Sequence, residues 1–161
     1  MKKRWLALYV ENNVGVLAKI SGLFAGKNYN LDSLTVGPTN NATISRMTIS
    51  LTGSDAVFEQ IKKQLNRCVD IIKVIDLTSS PVAVKELLFI KVLNCSVNEK
   101  TEIFHIAEVF HAKVCDCGRQ DILLEISGAC ECNDELILLM EQYKNIEVVR
   151  SGAVAIEKCR K

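Results

Sequence analysis

The sequence lacks every short motif that would announce a catalytic or nucleotide-binding site. It holds no G-x-x-x-x-G-K-[ST], no G-x-G-x-x-G, no H-E-x-x-H and no G-x-S-x-G, so phosphate cradles, zinc-hydrolase helices and serine-nucleophile turns are not expected. It also lacks an excess of charge. Twenty Lys+Arg against nineteen Asp+Glu leave +1, too little to neutralise a phosphate backbone, and a nucleic-acid binder is disfavoured. Long apolar runs are missing as well. Lys2-Lys3-Arg4 mimics the start of a signal peptide, but the apolar stretch from Trp5 to Val10 stops at Glu11-Asn12. No window approaches the ~20 apolar residues of a membrane span. Seven cysteines, an odd number without an export signal, point to a reduced, cytoplasmic protein with free thiols.

What is present is a periodicity that switches between two and 3.6. Trp5 to Val10 reads as a buried strand, and Leu17, Ile20 and Phe24 mark one face of a helix starting near Gly15. Asn28-Tyr29-Asn30 is expected to close that helix. Leu31 to Pro38 and Ile44 to Leu51 read as a hairpin. Ser54 is a plausible N-cap for a helix faced by Val57, Ile61 and Leu65, and Val69 to Leu77 gives a fourth strand. After the polar linker at 78–82, around Ser79-Ser80-Pro81, the pattern restarts with Leu87 to Leu93. Ser96 with Glu99 fits a capping box ahead of Ile103, Ala107 and Phe110. Lys113 to Cys117 and Ile122 to Ser127 form a second hairpin, Asn133-Asp134-Glu135 opens a helix, and Ile146 to Ile156 is the last strand. The fold class is therefore α+β, with two ferredoxin-like βαββαβ domains at about 1–77 and 83–161, each an antiparallel sheet with helices on one face. The first-half strands are apolar on both parities, so the uncovered face needs cover, expected from a second copy.

No residue presents itself as catalytic. His105 and His111 lie six apart on the third helix, where they do not share a face. Cys115-x-Cys117 and Cys130-x-Cys132 bracket a hairpin, and four thiolates could converge on a metal there. C-x-C is a less usual spacing than C-x₂-C, so small buried or half-buried thiols are the plainer reading. The segment Glu11 to Thr39 carries more. Asn12-Asn13-Val14-Gly15-Val16-Leu17 runs from a strand into a helix N-terminus, whose free N–H groups attract a carboxylate. Gly15 lets a ligand approach the backbone, and Asn30 adds an amide that both donates and accepts. Those parts suit an amino-acid zwitterion, although Asn and Gly also serve as ordinary turn formers.

The chain resembles the regulatory (small) subunit of acetolactate synthase. The carriers are Glu11-Asn12-x-x-Gly15-Val16-Leu17, Ile20-x-Gly22-Leu23-Phe24, Ser45-Arg46-Met47-Thr48-Ile49 and above all Tyr29 to Thr39, continued by Val149-Arg150-Ser151-Gly152. The generic strand–loop–Gly–helix start alone suggests only the wider ACT-domain class, such as a free-standing amino-acid sensor with another partner. The family resemblance implies an N-terminal ACT domain that pairs with its copy in a homodimer. It implies a branched-chain amino acid, typically valine, bound at Asn12, Gly15, Val16, Leu17, Asn30 and Leu31. It implies a separate large catalytic subunit that holds thiamine diphosphate, Mg²⁺ and FAD, this chain carrying no cofactor. His111 stands where Arg is usual in that family, and the hairpin after it is shortened and bears cysteines.

Overall fold

The computed structural model describes residues 2–26 and 29–159. It divides into two compact units, Met1–Ala83 together with Ala153–Lys161, and Val84–Gly152. In the first, β1 (Lys2–Glu11), α1 (Val16–Ala25), β2 (Ser33–Pro38), β3 (Ile44–Gly53), α2 (Asp55–Leu65) and β4 (Ile71–Asp76) follow in order. The strands pair antiparallel as β2-β3-β1-β4. Alternation dictates the layers. Leu6, Leu8 and Val10 of β1 and Met47, Ile49 and Leu51 of β3 turn one way, onto Val16, Ile20 and Phe24 of α1 and Phe58, Ile61 and Leu65 of α2. Each such side chain contributes about 1.5–3 kcal/mol when fully buried.

Two helix faces differ from the sequence expectation. On α1 the buried stripe is Val16, Ile20 and Phe24 at i, i+4 and i+8, and Leu17, one residue round the helix, stays 43% exposed. On α2 Phe58 joins Ile61 and Leu65, while Val57 is half-buried at the core's edge. Ser54 caps α2 as expected, its hydroxyl accepting from the Val57 N–H. The helix stop assigned to Asn28 falls outside the described residues. The Gly26 N–H, bonded to the Gly22 carbonyl at 2.9 Å, ends α1.

β5 (Val82–Val92), α3 (Val97–Val109), β6 (Lys113–Cys117), β7 (Ile122–Gly128), α4 (Cys130–Met140) and β8 (Ile146–Glu157) repeat the order, with strands arranged β6-β7-β5-β8. His111 lies beyond α3, at φ 54. There it closes the helix, and the Ala112 N–H returns to the Ala107 carbonyl at 2.8 Å. α4 opens at Cys130, not at Asn133, because Asn133 is needed inside. Its side chain is wholly buried, and Nδ2 donates to the backbone carbonyl and the Oε2 of Glu86 at 3.2 and 3.3 Å. Glu86, itself buried, is gripped by Arg150 through Nε (3.0 Å) and Nη2 (2.5 Å), and Arg150 Nη1 reaches Asp134 at 2.6 Å.

The end of β8 groups with the first unit. Ala153 and Ala155 are buried while Val154 and Ile156 are exposed. Thr35 Oγ1 donates to the Ala153 carbonyl at 3.2 Å and Arg46 Nη2 to that of Ala155 at 2.6 Å. On the same side of the first sheet Ala7, Thr48 and Ser50 are at most 2% exposed. On that side of the sheet the chain's own last strand end supplies cover.

Candidate functional site

Gly15 is the pivot of the β1–α1 loop. Its φ of +87° and ψ of −11° are left-handed, a conformation that strains any residue with a Cβ, yet the space where that Cβ would stand is empty to 4 Å. The α1 N-terminus that follows is bare: no side chain caps it, and no acidic residue sits in its first turn. Its first intrahelical bond runs from the Lys19 N–H to the Gly15 carbonyl, which leaves the Leu17 and Ala18 N–H groups pointing off the helix end. The other three helices differ. Ser54 caps α2, Ser96 and Glu99 close a capping box on α3, and α4 carries Glu131 in its first turn.

The corresponding turn of the second unit is filled from within. Asn94 takes the left-handed conformation at φ 57, and its N–H donates to Asp121 Oδ1 at 3.1 Å. The Lys100 ammonium donates to the Gly118 carbonyl. Of the two equivalent strand–helix turns, the second is closed by its own side chains at Ser96 and Glu99, and the first has no side-chain cap.

Asn12 is held from both ends of its amide. Oδ1 accepts from Ser45 Oγ at 3.0 Å, Nδ2 donates to the Ala42 carbonyl at 2.9 Å, and its backbone N–H reaches the Thr43 carbonyl at 2.8 Å. One amide hydrogen and one lone pair remain for a ligand. Val16 is buried, so only its backbone borders the loop, whereas Val14 and Leu17 present exposed apolar surface. An open cleft of about 300 Å³ lies alongside, lined by Glu11, Asn13, Thr43, Ile44 and Ile72. Lys19 pairs with Asp70 at 2.9 Å, and that hydrogen bond raises its pKa.

Asn30 and Leu31 are elsewhere. Asn30 is exposed and Leu31 packs against the first core beside β2. Ser33 pairs with Ser50, which pairs with Trp5, so this segment lies level with the start of β1. Asn12 follows the end of that strand. Seven residues of strand separate the Trp5 row from Asn12, roughly 23 Å at ~3.3 Å per residue, several times the reach of one amino acid. One chain therefore gathers Asn12, Gly15, Val16 and Leu17 at one end of the sheet and holds Asn30 and Leu31 at the other.

The four-cysteine metal candidate is not assembled. Cys115 and Cys117 are exposed on β6, and Cys130 and Cys132 stand in the first turn of α4. Residues two apart on a helix point to different sides and cannot converge on one ion. No cluster of three or more potential metal ligands forms among the described residues. The Cys115 thiol donates to Glu125 Oε2 at 3.1 Å, which pushes its pKa up and keeps the sulfur protonated. Among the described residues no helix is long and apolar enough to cross a membrane.

Ser45 was visible in the sequence only as part of the family resemblance. A further signal was there: it sits on the parity of Met47, Ile49 and Leu51, and a hydroxyl on an apolar parity is present for a partner.

Residues 6–73 match the family described as AHAS small subunit-like ACT domain, and residues 85–159 match that of the small subunit of acetolactate synthase. Over 158 residues the chain is 39% identical to the acetolactate synthase small subunit of Aquifex aeolicus, covering 98% of this chain and 82% of that one. The chain belongs to the acetolactate synthase small-subunit family. The Bacillus subtilis small subunit is likewise 39% identical, over 97% of this chain and 91% of its own. A crystal structure of the small subunit from Thermotoga maritima superposes with a TM-score of 0.90 at 32% identity, each chain covered in full. Membership brings the ACT-domain description to the unit that holds the bare helix end.

Proposed function

We propose that this chain is the regulatory subunit of an acetolactate synthase. It docks on a large catalytic subunit that carries thiamine diphosphate, Mg²⁺ and FAD, raises its activity, and makes it sensitive to a branched-chain amino acid such as valine. The N-terminal ACT domain, about 1–77 with the end of β8 on its sheet, binds the amino acid and dimerises, and the second domain follows a linker and runs to Gly152, short of the expected 161. The names of the relatives support the subunit role. The observation that carries the ligand reading is the uncapped α1 N-terminus, with left-handed Gly15 before it and the oriented Asn12 amide beside it. A ligand carboxylate takes the place of the missing cap, held by N–H groups of the Gly15–Leu17 turn, the Val16 N–H first giving up its 3.4 Å bond to the Asn13 carbonyl. Val14 and Leu17 offer the apolar contact.

The distance between Asn12 and Asn30 supports a site completed by two chains. Asn12 and Gly15 of one protomer face Asn30 and Leu31 of its partner across a homodimer. Losing one hydrogen bond to a charged group costs ~1.5–3 kcal/mol, roughly tenfold to a hundredfold in affinity. Calorimetry should therefore show Asn12→Ala and Asn30→Ala each weakening valine by that factor. A mixture of the two variants, unfolded and refolded together, should recover tight sites, because a mixed dimer holds one with both asparagines. A mixture that binds no better than its components rules out the shared site.

A further inference from the structure

β3 places Ser45 and Arg46 side by side on opposite faces of the first sheet. Ser45 is buried and orients Asn12 from the helix side. Arg46 reaches the other side, over the Tyr9 ring at 5.8 Å from its centroid, with Nη1 on Thr48 Oγ1 at 3.4 Å and Nη2 on the Ala155 carbonyl at 2.6 Å. Thr35, which stands opposite Thr48 on β2, donates to the Ala153 carbonyl. One peptide unit thus separates the group that fixes the Asn12 amide from the group that fixes the end of β8. The hold is incomplete: Arg46 Nε is buried with no hydrogen-bond partner. An unmade bond of that kind penalises the seated arrangement and brings a released one within reach.

We infer that Ser45 is a positioning residue for the amino-acid ligand and that Arg46 couples occupancy of the Asn12 site to the seating of residues 153–157 on the back of the first sheet. The inference rests on the amino-acid reading given above. A ligand bonded to Asn12 favours the arrangement of β3 that aims that amide correctly, and it shifts the equilibrium by its difference in affinity for the two arrangements. Linkage makes the effect reciprocal: whatever factor valine contributes to seating the strand, loosening the strand takes from valine affinity.

Hydrogen exchange on the intact chain, with and without saturating valine, tests this alongside calorimetry. Valine should slow exchange of the 153–157 amides several-fold. Ser45→Ala should weaken valine about two- to tenfold, the worth of one neutral hydrogen bond, and abolish that slowing. Ser45→Thr, which keeps the hydroxyl, should restore both. Arg46→Lys should raise exchange at 153–157 and lower valine affinity by no more than the factor by which valine slows that exchange in the wild type. Valine binding to the wild type with unchanged exchange at 153–157, or full affinity in Ser45→Ala, overturns the coupling and leaves the amino-acid site standing. Failure of the wild type to bind any branched-chain amino acid overturns the site itself, and the coupling with it.

Discussion

Gly128 and Asn133 show how tightly a single position can be specified. A Cβ built on Gly128 would stand 2.5 Å from Asn133 Oδ1, closer than any real contact, and the amide that blocks it is buried and anchored to Glu86. Asn133 cannot swing away without leaving the buried Glu86 with fewer partners. Gly128→Ala should lower stability by ~2–4 kcal/mol, the range for overpacking combined with a broken buried hydrogen bond. Denaturant unfolding checks the figure. In the background of Asn133→Ala, which removes the obstacle, the added cost of Gly128→Ala should fall below about 1 kcal/mol.

At the scale of the element, the proposed reading assigns valine binding to the α1 N-terminus and stimulation to surfaces elsewhere. Gly15→Asp puts a carboxylate where the ligand's should lie and a Cβ at a φ of +87°, so repulsion and strain both act against valine. Surfaces away from the loop keep their shape. Assayed with the large catalytic subunit, this variant should still stimulate pyruvate turnover and should no longer respond to valine. A folded, dimeric Gly15→Asp that loses stimulation but binds valine would show the division to be wrong. The elements themselves were legible because their signals are local. Leu6, Leu8 and Val10 alternate, Ser96 and Glu99 stand three apart, and a turn separates Ile44 from Pro38. Three features were not legible, because partners remote in sequence decide them. Asn133 looks like a helix start, and only its bond to Glu86, 47 positions away, explains why α4 begins earlier. Leu17 and Val16 are equally apolar, and packing alone chooses Val16. Asn12 and Asn30 both read as ligand groups, but their separation emerges only when β1, β3 and β2 are laid in register.

For the molecule as a whole, the Lys62–Asp76 pair of the first unit contributes to the proton balance of folding. Burial works against the ionised form of Asp76, but hydrogen bonds from Lys62 (2.9 Å) and Thr78 (3.0 Å) outweigh it and hold the carboxyl below its ordinary value. The hydrogen bonds of Glu59 and Asp76 hold the Lys62 ammonium above its own. A carboxyl that binds its proton more weakly when folded stabilises the fold above the unfolded value of about 3.9. That contribution is lost as pH falls through the lower, folded value. The Lys62 contribution is present below about 10.4 and is lost as pH rises through its folded value. Thermal melts should therefore place wild type above Asp76→Asn at pH 7, with the gap closing in acid. A gap that is the same at pH 7 and pH 2 would mean the Asp76 charge is irrelevant and only its shape matters.

The end of β8 bears on how such a chain can be cut and joined. A boundary drawn at the polar linker looks like a seam between two interchangeable modules, each with its own βαββαβ plan. The residues from Ala153 onward are encoded with the second module and folded with the first, where Thr35 and Arg46 receive them. A fragment ending at the linker would leave the back of its sheet bare, with Ala7, Thr48 and Ser50 no longer covered. A chimera crossed over at that linker would import a foreign strand end onto a surface shaped for its own. A hybrid that keeps the bonds of Thr35 and Arg46 to their own strand end needs a second crossover near Gly152.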